Sequence, residues 1–268
     1  MIALVNVTLI PLPEVQTPCP YLPGIRAQTE RAIAVEFSES GINYLLKQGF
    51  RHFGRFLFRP RCLWCGKCVP VRIDASAYCF SRSDRRVLRK SERAGFEVSL
   101  ERHPLPDPAL FELYLRHKKR FPFPAEDEQE NYDSFVDSFF AATPGAALLR
   151  IRDKERTVAV SHIDLVGDTC SAVYCYWDEE YAIYSPGRVA ILHEVLLAKS
   201  RGMRYLCLGY LIEENRSMIY KKGYSPLQVS TRPGVWFDWL DAEGHCIAGA
   251  PEHPLFIVED SLRESFLL

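Results

Sequence analysis

The chain has 268 residues, 47% of them hydrophobic and 25% charged, with a formal net charge of −1. This composition excludes a disordered or fibrous protein, and a near-neutral balance gives no global signature of a nucleic-acid or membrane partner. The length fits one large domain or two modest ones and is enough to bury a substantial core.

In chain order, Met1–Leu12 is apolar and predicts a short strand. Pro11, Pro13, Pro18, Pro20 and Pro23 then forbid a helix and predict an extended loop. Glu36–Gly49 predicts a helix, with Ser38 as its cap, Ile42, Leu45 and Leu46 as its stripe and Gly49 as its stop. Phe50–Arg59 predicts one strand, Cys62–Cys68 a tight turn and Val69–Ile73 a strand. Ser81–Gly95 predicts a helix and Phe96–Glu101 a strand. A further helix runs from Asp107 or Pro108 to about Arg120, a loop covers Phe121–Asp127, and a short helix covers Tyr132–Ala141.

Strands at Ala146–Arg152, Thr157–Leu165 and Cys170–Trp177 come next, joined by polar turns. They lead to a helix at Gly187–Arg201 and a strand at Tyr205–Gly209. Three strands feeding a helix that leads to another strand is a mixed layer architecture. No repeat or low-complexity tract is visible, and no segment approaches the length needed to span a bilayer.

The positive charge is unevenly distributed. Between Arg51 and Arg93 stand twelve Lys or Arg residues, opposed only by Asp74, Asp84 and Glu92. The helix carrying Arg82, Arg85, Arg86 and Arg89 places them at i, i+3, i+4 spacing, an edge that suits a phosphate backbone or an acidic peptide. A second run, Arg116–Arg120, reads as a solvated helix face.

Nine cysteines raise the question of disulfides. Met1–Leu12 lacks the basic start and small-residue cleavage site of a secretory leader. The expectation is therefore a cytoplasmic protein whose thiols are free, metal-bound or catalytic. Cys62, Cys65 and Cys68 form C-x2-C-x2-C, and Cys19 in the proline-rich loop is the candidate fourth ligand. Four thiolates would suit zinc or an iron–sulfur cluster, and free thiols in a loop are the alternative. Cys79, Cys170, Cys175 and Cys207 lie in apolar strand patterns and read as small core residues.

Six blocks in order resemble the bacterial aminoacyl-tRNA–protein transferases, relatives of the eukaryotic arginyltransferases. They are Cys19-Pro20-Tyr21-Leu22-Pro23; Gly49-Phe50-Arg51; Arg59-Pro60 through Cys62, Cys65 and Cys68 to Arg72-Ile73; Ser81-Arg82-Ser83 with Arg85-Arg86; Ser171-Ala172-Val173-Tyr174 with Trp177-Asp178; and Leu208-Gly209-Tyr210 with Met218, Tyr220, Lys221, Tyr224 and Pro226. The resemblance spans residues 19 to 227. It implies an α+β fold, an acetyltransferase-like (GNAT-type) mixed sheet with flanking helices, and a smaller N-terminal cysteine-containing module. The expected division is 1–100 and 101–268.

The resemblance also implies aminoacyl-tRNA as donor, acceptor proteins with N-terminal Asp or Glu, and a place in the N-degron pathway. Leu at position 22, where the arginyl branch has a second cysteine, favours the leucyl branch over the arginyl one. The donor ester is already activated, so the chemistry requires no cofactor. An amine must lose a proton and an oxyanion must be held. Asp178, with Glu179 as alternative, is the candidate proton acceptor, and Tyr174 and Tyr210 are candidate hydroxyl donors. Arg51, Arg72, Arg82, Arg85, Arg86, Arg216, Tyr220 and Lys221 are candidates for binding tRNA or the acidic acceptor. The competing readings are an acyl-CoA N-acyltransferase, for which Ser185-Pro186-Gly187-Arg188 is a poor phosphate-binding turn, and a metal-stabilised nucleic-acid-binding module, which leaves the second half of the chain without a role.

Overall fold

The computed structural model describes residues 7–120 and 130–258; the loop expected at 121–127 lies outside them. The first sheet takes β1 (Val7–Pro11), β2 (Gln16–Pro18), β3 (Arg26–Phe37), β4 (Arg51–Phe53) and β5 (Phe56–Pro60). Its order is β1-β3-β5-β4, with β2 also on β3, and all pairs are antiparallel. The long strand β3 was not anticipated, since its interleaved polar and alanine residues carry little strand signal. Its Ala27, Ala32 and Ala34 are buried. The single strand expected at Phe50–Arg59 is a hairpin turned at Gly54. That glycine has φ +51°, and a Cβ there would drive into the Asp137 carbonyl, so only glycine fits.

Helix α1 (Glu39–Lys47) starts at Ser38, whose hydroxyl accepts from Gly41 N at 3.1 Å. Glu36, expected within the helix, belongs to β3 instead. Leu45 packs with Ala34, Phe50 and Leu57 on the first sheet, while Ile42 and Leu46 pack on Val166 of the second. One helix thus ties the two sheets together.

The second sheet has eight strands: β6 (Val69–Asp74), β7 (Phe96–Arg102), β8 (Ala146–Asp153), β9 (Arg156–Val166), β10 (Thr169–Trp177), β11 (Tyr205–Leu211), β12 (Leu227–Arg232) and β13 (Val235–Leu240). Their order is β13-β12-β6-β11-β10-β9-β8-β7. Residue 100 falls inside β7, and β6 lies between β12 and β11, so this sheet draws strands from both sides of the expected division.

Helix α5 (Pro186–Ser200) buries Val189, Ala190, Leu192 and Val195 in the apolar clusters on this sheet. Helices α3 (Pro108–Lys118) and α4 (Tyr132–Phe139) pack Leu110, Leu113, Tyr114 and Phe135 on Leu148, Val160 and Tyr176. Successive residues of β9 alternate accordingly: Ser161 bonds to α5, while Val160 and His162 pack against α3 and α4. Helix α2 (Arg82–Arg93), expected over Ser81–Gly95, opens on a capping box between Ser81 and Asp84. Cys170 and Cys207 are buried, but Cys79, expected in a strand, is exposed in the irregular segment before Ser81.

Candidate active site

Strands β10 and β11 are the one parallel pair in the large sheet. They pair only from Thr169 to Ser171 against Tyr205 to Cys207. A bulge in β10 between Ala172 and Tyr174 and another in β11 between Cys207 and Gly209 break the register beyond that point. The two strands then splay into a wedge.

Arg51, the first residue of β4, enters the wedge. Its Nη1 donates to Ser171 Oγ at 2.9 Å and its Nη2 to the Ala172 carbonyl. Gly209 lies alongside it at φ +78°, a left-handed backbone conformation that favours glycine. Five guanidinium N–H groups are available and two are used this way, so a planar cation is held at the mouth with donors to spare.

A turn of 3-10 helix, Ile219–Gly223, closes the other side. Lys221 is buried, and its Nζ donates to the Tyr210 carbonyl and lies 3.2 Å from Met218 Sδ. Burial, helped by the charge of Arg51, lowers the Lys221 ammonium to about 7. Tyr210 is buried with its hydroxyl 2.9 Å from the Gly49 carbonyl and 3.3 Å from that of Phe58. Tyr21, from the proline-rich loop, feels Cys68, Cys19 and Arg51, and burial pushes its phenol up to about 12.

The deepest polar group at the wedge was not foreseen. Glu194 on α5 is fully buried. Its Oε1 accepts from Ser161 Oγ at 2.6 Å, while its Oε2 has no hydrogen-bond partner. Burial raises the carboxyl to about 7, opposed by the Ser161 bond and by Arg51. A sequence signal exists: Glu194 is the one acid on a helix whose neighbouring turns, Val189 to Leu192 and Val195 to Leu197, are apolar. Without the fold it reads as a solvated position.

The candidates from sequence divide into two groups. Arg51, Tyr210, Tyr220 and Lys221 meet at the wedge. Arg82, Arg85 and Arg86 are exposed on α2. That helix is joined to the start of α5 by Arg188, whose Nη2 donates to Asp84 at 2.8 Å. Arg188 in turn faces Tyr224, which packs edge-on against Tyr220. The arginine edge therefore borders the same region. Arg216 is exposed on the loop before the 3-10 turn, beside Asn215, whose Nδ2 donates to the Tyr21 carbonyl at 2.9 Å.

The other candidates are engaged elsewhere. Asp178 is buried, pairs with Arg156 at 2.7 Å and Arg116 at 3.7 Å, and accepts from Glu180 N at 3.2 Å to cap the turn that follows β10. Tyr174 sits in an aromatic cluster with Phe53, Tyr114, Phe139 and Tyr176, where burial lifts its phenol to about 12. Arg72 is buried between the rings of Tyr205 and Trp236 and donates to Gln228 Oε1 at 2.7 Å. Glu179 begins the exposed turn after Asp178.

The four cysteines of the expected cluster gather beside Tyr21. Burial pushes the Cys68 thiol up, and Cys19, Cys62 and Cys65 push it further; Cys62 feels Cys65 and Cys19. Thiol donors suit zinc or an iron–sulfur cluster. Among the described residues, however, no three His, Cys, Asp or Glu side chains stand in an arrangement that could hold a metal ion. Cys62 instead exchanges hydrogen bonds with the Gln28 backbone. The donors fit such a group and their present geometry does not.

A parallel strand pair that splays next to a buried helix, within a mixed sheet covered on both faces, defines an acetyltransferase-like transferase fold. The solved structure of FemX shares it, with a TM-score of 0.50 over 80% of this chain and 72% of that one at 11% identity. Sequence comparison gives the family. The N-terminal part of arginine-tRNA-protein transferases matches residues 17–86 and their C-terminal part matches residues 108–231. An aspartate/glutamate leucyltransferase of Campylobacter jejuni is 32% identical over 79% of this chain and 88% of its own length. One of Thiobacillus denitrificans is 35% identical over 80% and 88%. The chain belongs to the aminoacyl-tRNA–protein transferase family and is an aminoacyltransferase. No helix among the described residues is long and apolar enough to cross a membrane.

Proposed function

We propose that this chain transfers a leucyl group from leucyl-tRNA to the α-amine of proteins that begin with Asp or Glu, marking them for degradation through the N-degron pathway in the cytoplasm. The observation that carries this reading is the guanidinium of Arg51, fixed at the mouth of the β10–β11 wedge with free donors. An N-terminal Asp or Glu places a carboxylate a few ångströms from its α-amine, and Arg51 can take that carboxylate with a two-pronged grip. Holding the carboxylate holds the amine, and positioning of this kind supplies several kcal/mol of a bimolecular barrier.

The exposed arginines of α2, Arg82, Arg85 and Arg86, supply sequence-independent attraction for the tRNA backbone, and Arg216 extends that surface. Lys221 donates to the Tyr210 carbonyl and so shapes the wall of the wedge. The leucyl assignment rests on the relatives' names and on Leu22, which stands where the arginyl branch has a cysteine.

The test is transfer from leucyl-tRNA and arginyl-tRNA, side by side, to peptides that differ only in their first residue. Leucyl product with Asp- and Glu-started peptides, and little with Asn or Gln, is the expected result. Arginyl product alone would move the chain to the other branch, and no peptide product from either tRNA would end the reading. The cysteines are assessed separately, by zinc, iron and sulfide analysis of protein purified without oxygen. A stoichiometric metal would mean that the four thiols draw together on binding it.

A further inference from the structure

The amine that attacks the ester must lose a proton, and the carboxylate favoured for this by sequence, Asp178, is committed to two arginines. A different acid faces the wedge. Glu194 projects from α5 through the apolar layer. One oxygen is bonded to Ser161 and the other, Oε2, is buried with no partner. A carboxylate in that state is costly, several kcal/mol if charged, and packing alone would be better served by leucine.

The charged and titratable groups around it come from every neighbouring element: Ser161 on β9, Cys170 and Cys175 on β10, Arg51 on β4, and Tyr220 and Tyr224 on the 3-10 turn and just after it. Of these, Tyr220 is the most exposed. Its side chain is 49% exposed, yet its hydroxyl is desolvated and feels Cys175, Glu194 and Arg51.

We infer that Glu194 is the transient proton acceptor of the transfer reaction and that the Tyr220 hydroxyl relays the proton to it. The inference rests on the aminoacyl-transfer reading above. The amine nitrogen bonds to the ester carbonyl carbon and gives a proton to the Tyr220 oxygen, while the Tyr220 proton passes through one bridging water to Glu194 Oε2, which no protein group occupies. Collapse of the tetrahedral intermediate breaks the carbon–oxygen bond to the tRNA ribose, and the proton returns along the same path to the departing hydroxyl. The proton that Glu194 takes up is given back within the turnover, so the net charge of the site is the same before and after transfer. Tyr220 touches the amine; Glu194 acts through it and is a positioning residue in that sense.

The experiment uses the full chain and has two arms. In the kinetic arm, Glu194→Gln keeps the shape and the Ser161 contact and removes the acceptor. Its kcat is expected to fall about 100-fold with KM for charged tRNA unchanged, and the loss of rate on acidification toward pH 6 is expected to vanish. Tyr220→Phe, at a half-exposed turn position that tolerates the change, is expected to lower kcat by a similar factor. The double variant should be no worse than either single one.

In the substrate-free arm, infrared difference spectra follow the carbonyl stretch of a protonated carboxyl as pH rises. A band that titrates near neutrality, is lost in Glu194→Gln and moves in Tyr220→Phe is expected. Unchanged kcat and acidic limb in either variant, or a band indifferent to Tyr220→Phe, overturns the relay. If wild-type protein transferred nothing from any charged tRNA, the function would fall while the infrared arm still decided whether the two residues share a proton. If Glu194→Gln did not fold, Tyr220→Phe carries both readouts.

Discussion

Arg51→Met is expected to lower kcat/KM for an Asp-started peptide about 1,000-fold. Two losses combine. The variant removes the cation that faces the acceptor carboxylate, and breaking one partner of a desolvated charge-assisted pair costs about 2–5 kcal/mol, with 1.4 kcal/mol for each tenfold. It also removes the bonds to Ser171 Oγ and the Ala172 carbonyl that hold β10 in its splayed path. The two contributions separate by acceptor. A peptide starting with Asn has no carboxylate to lose, so its slow transfer should fall only by the structural share. The ratio of Asp to Asn turnover should therefore collapse toward one. Arg51→Lys keeps a charge but not the fork, and an intermediate ratio is expected. A preserved Asp-to-Asn ratio in Arg51→Met would place acceptor recognition elsewhere.

The largest stability effect is expected at a buried ion pair next to Arg51 in sequence. His52 Nε2 lies 2.9 Å from Asp164 Oδ2, and both side chains are almost fully buried. His52 Nδ1 lies 2.9 Å from the Gly54 carbonyl. Both partners are acceptors, so both ring nitrogens carry protons and the imidazole is a cation. Burial works against that charge, but the charge and hydrogen bond of Asp164 outweigh it, and the His52 pKa is raised. Asp164→Asn leaves a buried imidazole with a weakened partner, and a loss of about 3–5 kcal/mol is expected, roughly a 10 °C fall in Tm for a domain of this size.

The pH dependence has a definite sign. A histidine whose folded pKa exceeds its unfolded value contributes fully below about 6.5 and loses the contribution as pH rises through the folded value. The stability gap between wild type and His52→Gln should thus be widest near pH 6 and shrink on the alkaline side. Lys221 acts oppositely, because its folded pKa near 7 lies below the unfolded one and acid costs stability there. Only the difference between wild type and variant, from denaturant titrations at pH 6 and pH 9, isolates His52. A gap that widened with pH would refute the charged pair.

Much of the local structure was legible in sequence because its causes are local. Ser38, Ser81 and Asp107 cap helices through side chains two or three residues from the amides they satisfy. Gly49, Gly95 and Gly202 stop helices at positive φ. The alternation of β8, β9 and β10 reports a sheet buried on both faces by helices. What was missed has non-local causes. Strand β3 is stabilised by partners on both sides, β1 and β5, rather than by its own propensity. The kink at Gly54 answers to the backbone of α4, more than eighty residues later. The strands β12 and β13 were not read at all.

The sequence by itself determined the family, the transferase chemistry, the arginine edge of α2 and most helices and strands. Each of these is written in short motifs or periods that a single stretch of chain carries. Which residues meet was decided only by the tertiary structure. Arg51, Ser171, Glu194, Gly209 and the pair Tyr220-Lys221 come from separate elements of the chain and converge because β10 and β11 run parallel, pair for three residues and part. Asp178 and Glu194 look alike as letters. Two arginines neutralise the first, and a helix buries the second with one oxygen unpaired. A carboxylate's surroundings fix its proton affinity, and those surroundings exist only once the sheet is assembled.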